Sequence, residues 1–269
     1  MPILLQKLVS NIFGALPFQE AGLLAGILFG EKAGFSKDFY SSLINLGIVH
    51  IVVVSGTNVV IIARFMIEGL SRLINRRRAI IFGLIVIWAY GIMVGLAAPI
   101  IRAVLLISFL YWAQLLGRKF DIWRVVGLIF LMIVMADIKM LSNIGFWLSF
   151  VAFGAVVMDP KWVWLWITPI LAFYFGKISL VAPLMNAMVL FLIQVITIVG
   201  AMGAILNIKY ILWLILPILR YIVLLTDIFG RFKWISLSIK FNLWMMIGSY
   251  LLLIWFYQKR HEKQNTSSN

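Results

Sequence analysis

The sequence predicts an all-α fold: a polytopic transmembrane helical protein with broken or re-entrant helices and interfacial amphipathic helices. Two observations carry this. Hydrophobic residues make up 64% of the 269 positions and charged residues 12%, which is more apolar surface than one soluble core of this length can hide. The apolar residues also form long runs, such as 79–97 and 187–206, without the alternating polarity of a membrane β-barrel. Lipid offers no partner to a backbone N–H or C=O, so each run satisfies itself as a helix of about 20 residues.

Residues 1–30 are interrupted by Lys7, Asn11, Pro17, Gln19 and Glu20. They are too broken for a clean span and fit an amphipathic segment lying at the membrane interface. They also lack the charged start and small-residue cleavage site of a signal peptide, so the spans are expected to direct insertion. Residues 31–258 read as one membrane domain with nine spans, at 47–67, 79–97, 98–116, 122–136, 140–158, 162–175, 178–206, 208–229 and 242–257. Between the last two, 231–241 carries Arg231, Lys233 and Lys240 among aromatic and aliphatic residues, which suits a helix on the membrane surface. Residues 259–269 are expected to be a disordered cytoplasmic tail.

Lys and Arg number 23 against nine Asp and Glu, a formal charge of +14. In a polytopic protein such an excess sets orientation and by itself requires no anionic cargo. The strongest basic loops hold Arg72, Arg76, Arg77 and Arg78, then Arg118, Lys119 and Arg124. Placing them in the cytoplasm puts the N-terminus outside and the C-terminus, with Lys259, Arg260 and Lys263, inside. The 231–241 segment then falls outside, a conflict that a re-entrant or missed span in the second half would remove. The absence of cysteine excludes disulfides and thiolate chemistry, and two histidines leave little material for zinc. No metal or cofactor is expected.

A polar group inside a membrane is costly, roughly 2.5 to 3.5 kcal/mol for Arg at a helix centre, so four places stand out. In HIVVVSGTN, from His50 to Asn58, the residues Ser55, Gly56, Thr57 and Asn58 interrupt a β-branched run. Gly weakens a helix and Ser can bond its own backbone, so a break is expected there, either a transport site or a close helix contact. Arg102 follows the tight turn at Ala98 and Pro99, and either snorkels to the surface or faces a pore as a donor to phosphates. Asn143, Gly145, Trp147 and Ser149 in NIGFWLSF place Asn143, Trp147 and Phe150 on one helical face, for packing or for a polar pathway. Pro183, Asn186 and Gln194 interrupt the 178–206 run, as a kink with a structural Asn or as a second broken helix.

Enzymatic readings find little support. His50 and Ser55 are off the i, i+4 spacing and no carboxylate stands near to orient the imidazole. Val53 occupies the position where an intramembrane serine protease would want Gly. Carboxylates are scarce and mostly at span edges, and no GxxxxGK[ST] loop exists for ATP.

Five stretches, in order, resemble the membrane-channel domain of the ComEC family of bacterial DNA-uptake proteins. They are LFGEK (28–32), GIVHIVVVSGTNV (47–59), the Pro-to-Ala stretch 99–103, DIKMLSNIGFWLSFVAFGAV (137–156) and FGKISLVAPLMN (175–186). The family commonly has His where Asn58 stands and Gln where Trp147 stands, so neither a titrating imidazole nor that amide is available here. The resemblance implies an inner-membrane channel for single-stranded DNA in natural transformation. Its pathway would be lined by His50, Ser55, Gly56, Asn58, Arg102, Asn143, Trp147, Ser149 and Asn186, and Gly30, Glu31 and Lys32 would form the mouth. The partners implied are single-stranded DNA, membrane lipids, a separate nuclease, a DNA receptor, and a cytoplasmic motor or strand-binding proteins. OB-like and metallo-β-lactamase-like domains common in the family do not fit in these 269 residues, and no HxHxDH motif occurs. The alternatives are a permease for another anionic or lipid-linked substrate, or a non-transporting membrane scaffold.

Overall fold

A computed structural model describes residues 3–52, 55–117, 121–158, 162–179, 181–230, 232, 236–238 and 241–266. The helices are α1 (Ile3–Ala15), α2 (Phe18–Phe29), α3 (Lys37–Asn45), α4 (Val49–Val52), α5 (Gly56–Leu70), α6 (Arg76–Val94), α7 (Ala98–Leu115), α8 (Ile122–Ala136), α9 (Ile144–Met158), α10 (Val163–Phe175), α11 (Ala182–Leu206), α12 (Lys209–Gly230) and α13 (Leu243–Thr266). Two three-residue strands, β1 (Lys177–Ser179) and β2 (Ser236–Ser238), pair antiparallel with Ile178 opposite Leu237. Among the described residues, α6, α11 and α12 are long and apolar enough to cross a membrane. Around them stand shorter apolar helices, including α2, α8, α9 and α10.

Two apolar cores organise the bundle. The larger joins α1, α2, α3, α11 and α12 through Ile12, Leu24, Leu43, Ile196 and Ile215. The second joins α5, α6 and α7 through Val59, Ile87 and Val104. A smaller cluster of Ile129, Ile133 and Phe146 holds α8 and α9, with Ile101 and Leu105 of α7 packed against it. The outer faces remain apolar, as at Phe82, Phe191, Leu214 and Trp244, which is the surface of a protein whose solvent is lipid.

The first thirty residues differ from a single surface segment. Pro17 separates α1 from α2, and residues 21–29 are all buried inside the bundle. The reason is their small residues. A methyl on Gly22 would lie 2.8 Å from both Cα and O of Gly34, so only glycine lets the following loop fold back against α2. Glu20, in the first turn, accepts from Arg220 Nε of α12 at 3.2 Å.

The second half holds four further corrections. The 178–206 run is not one helix, because Gly176 takes a left-handed conformation, ends α10 and leads into β1. Pro183 lies in the first turn of α11, where a missing N–H costs nothing, rather than at an internal kink. Within 231–241 the described element is β2, not a surface helix; alternation in ISLSI suits a strand, and β1 supplies its partner. Arg231, Lys233 and Lys240 lie outside the described residues, as do Arg118 and Lys119. Finally, α13 continues to Thr266, so helix extends through most of the expected tail.

Gly22→Ala is expected to destabilise the protein by about 1 to 3 kcal/mol, since the opposing atoms are backbone. Thermal unfolding in detergent would register this as a lowered midpoint, and an unchanged midpoint would contradict the contact.

Candidate functional site

The helix break expected near Ser55 is present. α4 stops at Val52, Ser55 is extended (φ −127°, ψ 165°), and α5 starts at Gly56. This break serves a buried helix end. α2 terminates within the bundle, where Gly30 (φ 74°) turns the chain so that its own amide and that of Glu31 bond back to Gly26 O and Ala25 O. The carbonyls of Ile27 and Leu28 are left, and each takes a side chain from another helix. Asn58 Nδ2 donates to Ile27 O at 2.5 Å, and the Tyr90 hydroxyl donates to Leu28 O at 2.5 Å. Thr197 of α11 donates to Asn58 Oδ1 at 3.5 Å, so a fully buried amide has both ends engaged.

Beside this lies a convergence of helix N-termini. A methyl on Gly56 would sit 3.1 Å from Ala103 Cβ and 3.2 Å from Pro99 O, so the start of α5 lies against the first turn of α7. The Pro99 ring in turn adjoins Gly145, at the start of α9. Neither Ser55 nor Ala97 caps its helix with a side-chain bond, whereas Asn143 Oδ1 accepts from Gly145 N at 2.8 Å. The positive ends of three helix dipoles therefore meet in one place.

Arg102, beside Ala103 on α7, is 1% exposed and reaches the start of α9. Its Nη2 donates to Gly145 O, and the guanidinium lies 5.2 Å from the ring centroids of both Phe146 and Phe150. The aromatic faces recover part of the desolvation cost of the cation. Nε and Nη1 are buried without a partner. A cation thus lies at the start of α9 with the three N–H groups of Nε and Nη1 unpartnered.

His50 belongs to a neighbouring cavity of about 40 Å³ between α4, α10 and β1, which Thr168 and Ser179 also line. His50 Nδ1, Ser179 Oγ and Asn186 Oδ1 are buried and unpartnered. Thr168 donates to Trp164 O at 2.7 Å instead. The space suits a water molecule bridging such groups and is far below the size of a nucleotide.

The expected pathway residues thus fall into distinct roles. Arg102 and Asn143 come together at Gly145, while Gly56, with Ser55 before it at the break, packs on Pro99 and Ala103. Asn58 is a brace for α2, and His50 lines the separate cavity. Trp147 is 37% exposed, donates Nε1 to Leu141 O at 2.7 Å and lies with its ring 5.6 Å from that of Phe146. Ser149 is half-buried. Gly30 and Glu31 form the α2 cap turn, with Glu31 Oε1 accepting from Ala33 N at 3.1 Å, and Lys32 Nζ lies 5.4 Å over the Tyr40 ring. Sequence reasoning missed Tyr90, Phe146, Ser179 and Thr197. The pair Phe146 and Phe150, four apart within NIGFWLSF, was the one readable signal among them.

Broken helices joined by buried polar side chains, within an apolar-surfaced bundle, define a polytopic helical membrane protein with an internal polar site. A family model described as "Competence protein" matches residues 27–164, just over half of the chain. The chain belongs to the competence-protein family. It is also 22% identical, over 293 aligned positions, to Recombination protein 2 of Haemophilus influenzae, with 92% of this chain covered and 36% of that protein. The chain spans about a third of the length of that curated relative. No solved structure matches it. The family match includes the α2 end, the break, Arg102 and the start of α9, whereas Ser179, Asn186 and Thr197 lie beyond it.

Asn58→Leu should destabilise the protein by about 1 to 3 kcal/mol, because Ile27 O loses its partner and leucine supplies none. Tyr90→Phe should act similarly, by exposing Leu28 O to apolar surroundings. Both effects are read from detergent unfolding midpoints; an unshifted Asn58→Leu midpoint would show that the brace is dispensable.

Proposed function

We propose that this chain forms the passage through which a single DNA strand crosses the cytoplasmic membrane into the cell during natural transformation. Membership of the competence-protein family supports the process. The observation that carries the chemistry is Arg102, buried with Nε and Nη1 unpartnered where the starts of α5, α7 and α9 meet. A phosphodiester leaving water needs fixed donors to replace its hydration, and this locus supplies the three N–H groups of Nε and Nη1 beside helix N-termini. Such contacts ignore base identity, as import of arbitrary sequence requires.

In this reading residues 31–258 are the channel domain, with the N-terminus outside and the C-terminus in the cytoplasm. Gly30, Glu31 and Lys32 stand at the mouth, and His50, Ser55, Gly56, Asn58, Asn143, Trp147, Ser149 and Asn186 border the route. The small cavity at His50 corresponds to a closed passage, and the α4–α5 break is where it opens. The route carries cargo and performs no catalysis. A cytoplasmic motor or strand-binding protein pulls the strand, and a separate nuclease and DNA receptor prepare it.

Deleting the gene should abolish transformation, and the wild-type chain should restore it. Arg102→Met should restore at least tenfold less, since a charge-assisted hydrogen bond contributes about 1.5 to 3 kcal/mol. Membrane levels of the variant should equal or exceed wild type, because a costly cation is gone. Undiminished transformation in the deletion strain would overturn the proposal. Altered uptake of a small anion in that strain would point to a permease instead.

A further inference from the structure

The α6–α7 hairpin has a second basic feature at the opposite end from Arg102. α6 is 19 residues long, which separates Arg76 from Val94 by roughly 27 Å. At the Arg76 end an open cavity of about 340 Å³ lies between the start of α6 and the end of α7. Arg76, Arg77 and Gln114 supply its polar wall, and Ile80, Leu115 and Leu116 its apolar wall. Arg76 Nη2 donates to Gln114 Oε1 at 3.5 Å. Among the described residues neither arginine is in a salt bridge, and Glu68 nearby in sequence is held by Arg64 at 2.9 Å.

The surroundings indicate what fills this cavity. Ile81, Phe82 and Ile85, one to two turns along α6, are 52%, 54% and 61% exposed, and Trp112 on α7 is 59% exposed. Those side chains face hydrocarbon, with the indole at the level of an interfacial aromatic belt. The arginine pair therefore sits where lipid headgroups lie, over an apolar wall that suits the upper part of an acyl chain. We infer that this cavity binds the phosphate of an anionic phospholipid. The site is independent of the passage, and its charges hold the hairpin at a fixed depth in the bilayer while Arg102 handles cargo.

Native mass spectrometry of the full chain in detergent tests this, with phosphatidylglycerol, phosphatidylcholine, inorganic phosphate and a short single-stranded oligonucleotide as probes. Phosphatidylglycerol should bind well above phosphatidylcholine and inorganic phosphate. Arg76→Gln with Arg77→Gln should weaken its binding about thirtyfold. Arg72→Gln with Arg78→Gln removes the same charge from exposed positions that do not line the cavity, and should leave binding within a few fold. Equal loss in the two double variants, equal binding of phosphatidylcholine or inorganic phosphate, or preferred capture of the oligonucleotide at the Arg76 and Arg77 site would each overturn the inference. Should the first double variant fail to fold, Gln114→Leu, which removes a polar wall without changing charge, decides the matter: weaker phosphatidylglycerol binding supports the site, and unchanged binding overturns it.

Discussion

The architecture depends on the need to satisfy the end of a buried helix. α2 stops inside the protein, and an unpaired carbonyl there, cut off from water, costs several kcal/mol. Gly30 satisfies two carbonyls by folding the backbone over, and Ile27 and Leu28 are satisfied from outside by Asn58 and Tyr90. Both solutions constrain the rest. Asn58 can reach α2 only because the preceding helix breaks before Gly56, and α6 must run close enough for Tyr90 to touch Leu28. Thr197 then fixes α11 against the same amide. One helix terminus thereby sets the relative positions of four other structural features: the break, α5, α6 and α11.

Much of this was legible, and what was not has identifiable causes. The break at Ser55 and Gly56 followed from local chemistry, since glycine and serine disfavour a continuous helix whatever their neighbours do. The apolar helices followed from hydropathy, with α8 matching its expected bounds. Asn58 was recognised as out of place, but its partner is a carbonyl 31 residues earlier, and nothing in the local pattern encodes that pairing. The face of α9 was misjudged by one residue. The spacing from Asn143 to Trp147 and Phe150 looked coherent, yet Phe146 with Phe150 forms the wall at Arg102. One residue is about 100° of rotation, enough to turn a side chain from the interior to the lipid. Residues 21–29 misled in another way: polar residues before them read as interfacial, while their glycines and alanines, which permit close burial, were the stronger signal.

Arg102 illustrates how a membrane protein can retain a charge that stability alone would remove. One hydrogen bond and two aromatic faces do not use all five donors of a guanidinium, and a methionine of similar volume would avoid the desolvation cost. The start of α9 beside it adds to that cost, since a helix N-terminus disfavours a cation. The proposed anionic cargo is what would offset it. The cavities at His50 and at Arg76 differ in their polar groups: the former holds His50 Nδ1 and Ser179 Oγ without partners, and the latter holds two arginines in no salt bridge among the described residues.

The brace on α2 also bears on how the chain is made. Its partners leave the ribosome after it does: Asn58 follows Ile27 by 31 residues and Tyr90 follows Leu28 by 62. Until they emerge, the nascent α2 has carbonyls that lipid cannot accommodate, which disfavours its release sideways into the bilayer as a finished unit. A sheltered, hydrated compartment beside the translocation machinery would let the early segment wait for α5 and α6.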